Sequence, residues 1–384
     1  MRSVAAVDTP RAGGTASRAA EVVARDLDYM CDALREELPR LCDKHLLITG
    51  GAGFLGYYLV QLALHWNRRS RGRPVQVTVL DSYVRGSPAW LEELREDPAL
   101  SVIRHDMTAP LPEGFGEFQY IVHAASIASP TYYRRHPIAT MDANVNGLRA
   151  LLEHARRARE RDRGVEGFLF FSSSEIYGDP TPEHIPTPET YRGNVSCTGP
   201  RACYDEAKRY GETLCVNFAA QVGIPVRVAR PFNNYGPGLK ITDGRALPDF
   251  ARDVLAGRDI VMFSDGSPRR TFCYVADAVI GYYKILIRGR SGEAYNIGAE
   301  QPEISIRELA DLVVAEARDL FGYQGRVDRR PPPDGDYLAD NPIRRCPVIA
   351  KAQSELGFNP SVALREGVRR SLIWYAEHSN AAEA

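Results

Sequence analysis

The chain is short of lysine, sparing with cysteine and without any long apolar run, and each shortage excludes something. Lysine occurs only at 44, 208, 240, 284 and 351, while arginine is abundant. Basic and acidic side chains nearly balance at 48 and 49, for a formal charge of −1. That leaves no electrostatic footprint for nucleic acid or an anionic membrane. No apolar stretch approaches the roughly 18 to 20 residues of a membrane span. The opening MRSVAAVDTPRAGG holds nothing long enough for a signal peptide. Seven cysteines, at 31, 42, 197, 203, 215, 273 and 346, are odd in number and form no Cys-x-x-Cys. Structural zinc and a disulfide framework are therefore not expected, and reduced thiols in a cytoplasmic protein are. Gly and Pro, 32 and 26 of 384 residues, are too few for a collagen-like or low-complexity chain. The length allows one large domain or two unequal ones.

Residues 1–17 are small and polar and read as disordered. In 18–41 the apolar positions Val23, Leu27, Met30, Leu34, Leu38 and Leu41 recur every three or four residues, an amphipathic helix that Pro39 should end or kink. It precedes the first strand, so 1–43 reads as an appended segment packed on its own body or on a partner. From Lys44 onward, strand patterns at 45–49, 75–81, 101–105, 120–125, 168–172 and 225–230 alternate with helical patterns near 54–66, 89–96, 138–161 and 201–222. This order implies an α/β fold, a doubly wound parallel sheet covered on both faces, over 44–230. Beyond Arg230 the segments 231–274 and 325–347 are rich in Gly, Pro, Asp and Arg, and suggest a smaller substrate-binding lobe over 231–384. Helical patterns near 275–288, 305–320 and 362–377 return in part to the first domain.

The first strand runs into Thr49-Gly50-Gly51-Ala52-Gly53-Phe54-Leu55-Gly56. Glycines at 50, 53 and 56, following a strand and opening a helix, form a dinucleotide turn: backbone approaches a pyrophosphate that faces the helix N-terminus. Asp81 ends the second strand, where a carboxylate accepts from ribose hydroxyls and repels a 2′-phosphate. NAD is thereby favoured over NADP, with Arg85 as a cation that could tolerate the phosphate. Asp106, closing the third strand, is either an adenine contact or a turn residue.

Two groups carry chemistry. Ser172-Ser173-Ser174-Glu175-Ile176-Tyr177-Gly178 lies just past a buried strand, where open α/β sheets bind ligands. Tyr204 and Lys208 are one helical turn apart and share a face. An ammonium beside a phenol favours phenolate, and a phenolate near a sugar hydroxyl is a competent base for hydride abstraction.

Together these motifs resemble the extended short-chain dehydrogenase/reductase superfamily of nucleotide-sugar enzymes. The stretches Gly199-Pro200-Arg201-Ala202-Cys203-Tyr204-Asp205-Glu206-Ala207-Lys208-Arg209, Arg230-Pro231-Phe232-Asn233-Asn234-Tyr235-Gly236-Pro237 and Asp243-Gly244-Arg245 more narrowly resemble the UDP-glucuronic acid decarboxylases, or UDP-xylose synthases. The match covers roughly 45–375 and leaves out the appended segment. The resemblance implies tightly bound NAD and a UDP-sugar substrate. It implies oxidation at the sugar C4, loss of carbon dioxide from the β-keto acid and return of hydride to give UDP-xylose, with no metal. Tyr204, Lys208, Ser173, Ser174, Glu175 and Arg270 would be catalytic, Glu175 as acid/base or carboxylate-positioning group and Arg270 near the carboxylate. The cofactor would meet Gly50, Gly53, Phe54, Leu55, Gly56, Asp81, Ser82, Asp106, Met107, Ala124, Ser126, Tyr204 and Lys208. The substrate would meet Pro130, Tyr133, Asn233, Arg245 and Arg270, with Asn233 and Arg245 on the diphosphate. A homodimer through helices near 138–161 and 201–222 is also implied.

The chain departs from that pattern in places. Gly236-Pro237-Gly238 replaces the usual Gly-Pro-Arg, so a cation is missing unless Lys240 supplies it. Ser173 stands for Thr, and Pro248-Asp249-Phe250 for Ser-Asn-Phe. The first change suggests a looser loop and escape of some UDP-4-keto-xylose. The competing readings are an apiose/xylose synthase, a 4,6-dehydratase, a 4-epimerase, and a non-catalytic NAD-binding scaffold; retention of both Tyr204 and Lys208 speaks against the last.

Overall fold

The computed structural model describes residues 17–331 and 342–378. The expected disorder of 1–17 falls, but for Ser17, outside them, as does part of the loop-rich stretch 325–347. Seven parallel strands form one sheet: β1 (His45–Thr49), β2 (Gln76–Asp81), β3 (Leu100–Arg104), β4 (Tyr120–His123), β5 (Gly167–Phe171), β6 (Val226–Pro231) and β7 (Ala294–Ile297). Their order across the sheet is β7-β6-β5-β4-β1-β2-β3, and the chain reverses direction of travel between β1 and β4. Ligands of such sheets bind beyond the strand ends at that point.

Alternate residues of each strand serve opposite faces. Leu46, Ile48, Val77, Val79, Val122, Leu169 and Phe171 join one core with the helices Phe54–Arg69 and Val275–Arg288. Leu47, Leu80, Ile121, Phe168, Phe170 and Val228 join the other with Leu148–Glu160 and Ala202–Val222. Both faces are covered except at the edge strand β3, where Ser101, Ile103 and Arg104 are exposed, which is why the inner strands read as near-continuous apolar runs.

Several boundaries differ from the sequence reading. The 138–161 helix is three pieces, Pro137–Asp142, a π-helical turn Ala143–Gly147 and Leu148–Glu160. The irregular turn lets buried Asn144 donate to the Ser126 hydroxyl at 3.0 Å and to the Thr140 carbonyl at 2.7 Å. The third strand stops at Arg104, so Asp106 lies in a turn, its carboxylate accepting from the Thr108 N–H and hydroxyl, both at 2.9 Å. The stretch 231–274 is less irregular than its composition suggests, since Ala246–Leu255 is helical.

The first helix runs only Arg18–Ala33; a turn and a 3-10 segment Leu38–Leu41 carrying Pro39 follow. It packs on its own body. Asp26 is wholly buried and accepts from the Tyr58 hydroxyl at 2.6 Å, the Tyr274 hydroxyl at 2.5 Å and Arg370 at 2.6 Å. Burial still wins over these partners and raises its carboxyl above the usual range. Glu37, also buried, pairs with Lys284 at 3.2 Å and Arg288 at 3.0 Å. Asp26→Ala should leave Arg370 and two phenols short of their acceptor. It is expected to lower the unfolding free energy by about 3 kcal/mol, read by denaturant titration.

Candidate active site

Because all seven strands are parallel, their carboxyl ends share one edge, and a cleft of about 840 Å³ opens there. Every residue that the sequence reading assigned to cofactor or substrate lines it. Gly50, Gly53, Phe54, Leu55 and Gly56 come from the turn after β1, and Asp81 and Ser82 from the end of β2. Asp106, Met107, Ala124 and Ser126 follow from β3 and β4. Ser173, Ser174 and Glu175 leave β5, and Tyr204 and Lys208 enter from the Ala202–Val222 helix. Pro130, Tyr133, Asn233, Arg245 and Arg270 form the remaining wall.

The dinucleotide end fits its ligand. Gly50 has φ +71°, and a β-carbon there would lie 2.7 Å from the Ala125 backbone, so only glycine allows the turn. The helix Phe54–Arg69 opens at Gly53 with no side chain capping it, leaving its first N–H groups for phosphate oxygens. The Asp81 oxygens accept from the Ala52 N–H at 3.0 Å and the Tyr83 N–H at 2.8 Å, and each keeps a lone pair for a ribose hydroxyl. Arg85 is engaged away from Asp81. Its guanidinium stacks 3.9 Å over the Tyr132 ring and stands 3.7 Å from Asp243.

At the chemical end, Tyr204 and Lys208 share a face, but the amine does not bond to the phenol. Nζ lies 5.5 Å from the Tyr204 ring centre and donates to the Phe171 carbonyl at 2.7 Å. A buried amine needs an acceptor, and the end of β5 supplies one. Burial lowers Lys208 to about 7 and raises Tyr204 to about 12. What eases phenol ionisation here is the Ser173 hydroxyl and Arg245, rather than the lysine the sequence reading relied on. The Ser173 oxygen accepts from the Glu175 N–H at 3.2 Å, which leaves its proton to donate. Tyr133 stacks on Tyr204, ring centres 5.2 Å apart at 13°. Among the described residues, the buried hydroxyls of Tyr133 and Ser172 have no hydrogen-bond partner, so the cleft wall keeps polar capacity for a ligand.

Glu175, expected as an acid/base or carboxylate-positioning group, is held by two arginines. Arg345 grips both its oxygens, at 2.6 and 2.5 Å, and Arg201 adds a third contact at 2.5 Å. Burial pushes the carboxyl up, but the two guanidiniums outweigh it and hold it at about 2. Both guanidiniums thus favour its ionised form. Arg270 is buried beside them and donates to the carbonyls of Ile343 at 3.0 Å, Arg269 at 2.7 Å and Pro342. Arg201 and Arg345 were missed as site residues. Arg201 sits in the quoted motif three residues before Tyr204, a signal that was available. Arg345 comes from a two-residue strand, Arg344–Arg345, that no periodicity reveals.

The loop that departs from the family pattern is packed. Gly238 has φ +89°, and a β-carbon there would fall 2.5 Å from the Tyr57 side chain. Lys240 donates to the Arg85 carbonyl, the Ser129 hydroxyl to the Asp243 carbonyl at 2.8 Å, and Arg245 pairs with Asp243 at 3.1 Å. Asn233, at φ +42°, donates to the Thr271 carbonyl at 2.9 Å.

A sheet of this order, a glycine turn facing an acidic strand end, and a Tyr-Lys helix opposite have counterparts. The profile of the NAD dependent epimerase/dehydratase family matches residues 46–298. The chain belongs to that family. UDP-glucuronic acid decarboxylase 3 of Arabidopsis thaliana is 38% identical over 84% of this chain and 86% of its own. UDP-glucuronic acid decarboxylase 1 of Xenopus tropicalis is 36% identical over 86% and 72%. Among solved structures, the dTDP-glucose 4,6-dehydratase DesIV of Streptomyces venezuelae, with NAD bound, superposes at a TM-score of 0.74. It is 26% identical, covering 88% of this chain and 98% of that one. NAD is the family's cofactor, and the turn, helix end and Asp81 described above could hold it.

Two outcomes follow for the family member in hand. Gly238→Arg should collide with Tyr57 and lower stability by about 1–3 kcal/mol, measured by unfolding with and without NAD. Glu175, whose folded pKa of about 2 lies below the ordinary 4.5, contributes stability that is full above pH 4.5 and lost as pH falls through 2. Glu175→Gln should therefore unfold more easily than the wild type above that window and match it below.

Proposed function

We propose that the chain is a UDP-glucuronic acid decarboxylase that makes UDP-xylose. The observation that carries this reading is the convergence, in one dinucleotide cleft, of a Ser-Tyr proton acceptor with a cluster of guanidiniums suited to a sugar carboxylate. NAD, when bound, takes the hydride from the sugar C4 and returns it at the end. Tyr204 takes the C4 hydroxyl proton, with the Ser173 hydroxyl bonded to the developing phenolate. Lys208, fixed on the Phe171 carbonyl at the end of β5, holds its amine 5.5 Å from the Tyr204 ring centre. The 4-keto group then serves as the sink for the electrons released with carbon dioxide. In this reading Arg270 faces the substrate carboxylate, and Arg245 with Asn233 hold the diphosphate. The aligned decarboxylases support this reading over the dehydratase and epimerase alternatives.

The protein should release carbon dioxide from UDP-glucuronate and not from UDP-glucose, with UDP-xylose identified by NMR. An apiose product would point to the branched-sugar synthase instead. Tyr204→Phe should lose at least about a hundredfold in turnover with NAD binding intact; normal turnover would remove Tyr204 as the base.

The enzyme works as a homodimer in this reading. Ile138 and Met141 on Pro137–Asp142, and Tyr210 and Val216 on Ala202–Val222, are exposed large apolar side chains on adjoining helices. A second copy of the same face is what would cover such a stripe. Light scattering should give twice the monomer mass, and Val216→Arg should halve it. All seven cysteines are free thiols, in keeping with a cytoplasmic setting, and no described helix is long and apolar enough to cross a membrane.

A further inference from the structure

Glu175 is the best-gripped side chain in the cleft, yet the reaction as read above gives it no step. Its partners come from three places. Arg201 precedes the Tyr204 helix and also reaches Asp205, Nε to Oδ2 3.8 Å. Arg345 pairs in parallel register with Arg270. Glu175 itself follows β5. The remaining groups that feel its charge are Tyr133, Tyr204 and Arg245.

A carboxylate seat built from guanidiniums alone would hold a substrate carboxylate too well. In the decarboxylation, the bond between C5 and the carboxyl carbon breaks, and its electron pair moves into the 4-keto group as an enolate. The negative charge leaves the carboxyl position, carbon dioxide departs neutral, and C5 is then protonated. Any contact stronger to the starting carboxylate than to the transition state slows that step. Glu175 answers part of the cationic charge with a fixed anion. We infer that Arg201 and Arg345 are positioning residues for the loss of carbon dioxide, gripping Glu175 so that it stays an anion beside Arg270 and limits how firmly the seat holds the substrate's carboxylate. This rests on the decarboxylase reading.

The test separates the two half-reactions. Arg345→Lys keeps the charge but loses the two-pronged grip; Arg201→Lys is the second variant should the first fail to bind NAD. NADH formation in a single turnover reports oxidation, and trapped carbon dioxide reports decarboxylation, each across neutral to mildly acid pH. With the grip loosened, burial lifts the Glu175 carboxyl, so the acid limb of carbon dioxide release should move to higher pH. Below the shifted limb the rate falls about tenfold per pH unit, while oxidation changes less than about twofold. Glu175→Gln should reproduce the loss, and adding Arg345→Lys to it should cost nothing further. An unmoved acid limb in a variant that still binds NAD overturns the proposal. So does equal slowing of both half-reactions, or additivity in the double variant. Wild-type protein that releases no carbon dioxide from UDP-glucuronate would instead strike the decarboxylase reading itself, and that control is read first.

Discussion

A carboxylate withdrawn from water is costly unless its charge is met at close range, and at Glu175 it is met by two arginines at once. That requirement draws together segments around 175, 201 and 345 that lie far apart in sequence. The consequences reach the chemistry. Fixing Glu175 fixes the short helical turn Ser174–Tyr177 that follows β5, and with it the Ser173 hydroxyl beside Tyr204. Fixing Arg201 fixes the entry of the helix that carries Tyr204 three residues later. Fixing Arg345 registers its strand against Arg270. Tyr204 and Arg270 are thus both tied to a single buried ion cluster, to which the short strand Arg344–Arg345 supplies one arginine.

A second buried carboxylate does comparable work from outside the matched family region. Asp26 ties the first helix to Tyr58, next to the dinucleotide turn, and to Tyr274 and Arg370 of the C-terminal part. Tyr57, the neighbour of Tyr58, meets Trp374 edge to face with ring centres 5.8 Å apart, and Trp374 lines the cleft. The appended helix is therefore linked through Tyr58, Tyr57 and Trp374 to the cleft wall, and through Asp26–Arg370 to the C-terminal helix Leu364–His378.

How much of this the residues announced follows from the kind of signal each leaves. Strands buried on both faces leave apolar runs, and β1, β4 and β5 were legible for that reason; β2, β6 and the largely exposed edge strand β3 were also placed to within a residue or two. Strand β7, Ala294–Ile297, is four residues long and includes Tyr295 and buried Asn296; too short and too polar to stand out, it is fixed only by pairing with β6. The glycine turn, Asp81 and the Tyr-Lys helix leave motifs with fixed spacing, and the structure gathers them in one cleft. Arg345 leaves none, because its placement depends on pairing with Arg270 across 75 residues of chain. The polarity of the Tyr204 environment was equally hidden. Spacing showed that Lys208 shares its face, but whether an amine turns to a phenol or to a backbone carbonyl is decided by the end of β5.

The loop around Gly238 shows what stands where a side chain is missing. Absence of the usual arginine suggested a missing cation and looser closure. In the fold, the space belongs to Tyr57, which approaches so closely that no side chain fits at 238. The positive charge of this region is carried instead by Lys240 and Arg85. Lys240 is anchored on the Arg85 carbonyl, and Arg85 lies over Tyr132 toward Asp243. The loop after β2, the wall at 129–133 and the loop at 236–245 are tied across the cleft by those contacts. Tyr57 itself belongs to the helix that opens at the dinucleotide turn. Tyr57 on the nucleotide side and Gly238 on the substrate side therefore fit one against the other, and the packing of this loop rests on that fit rather than on the arginine that this chain lacks.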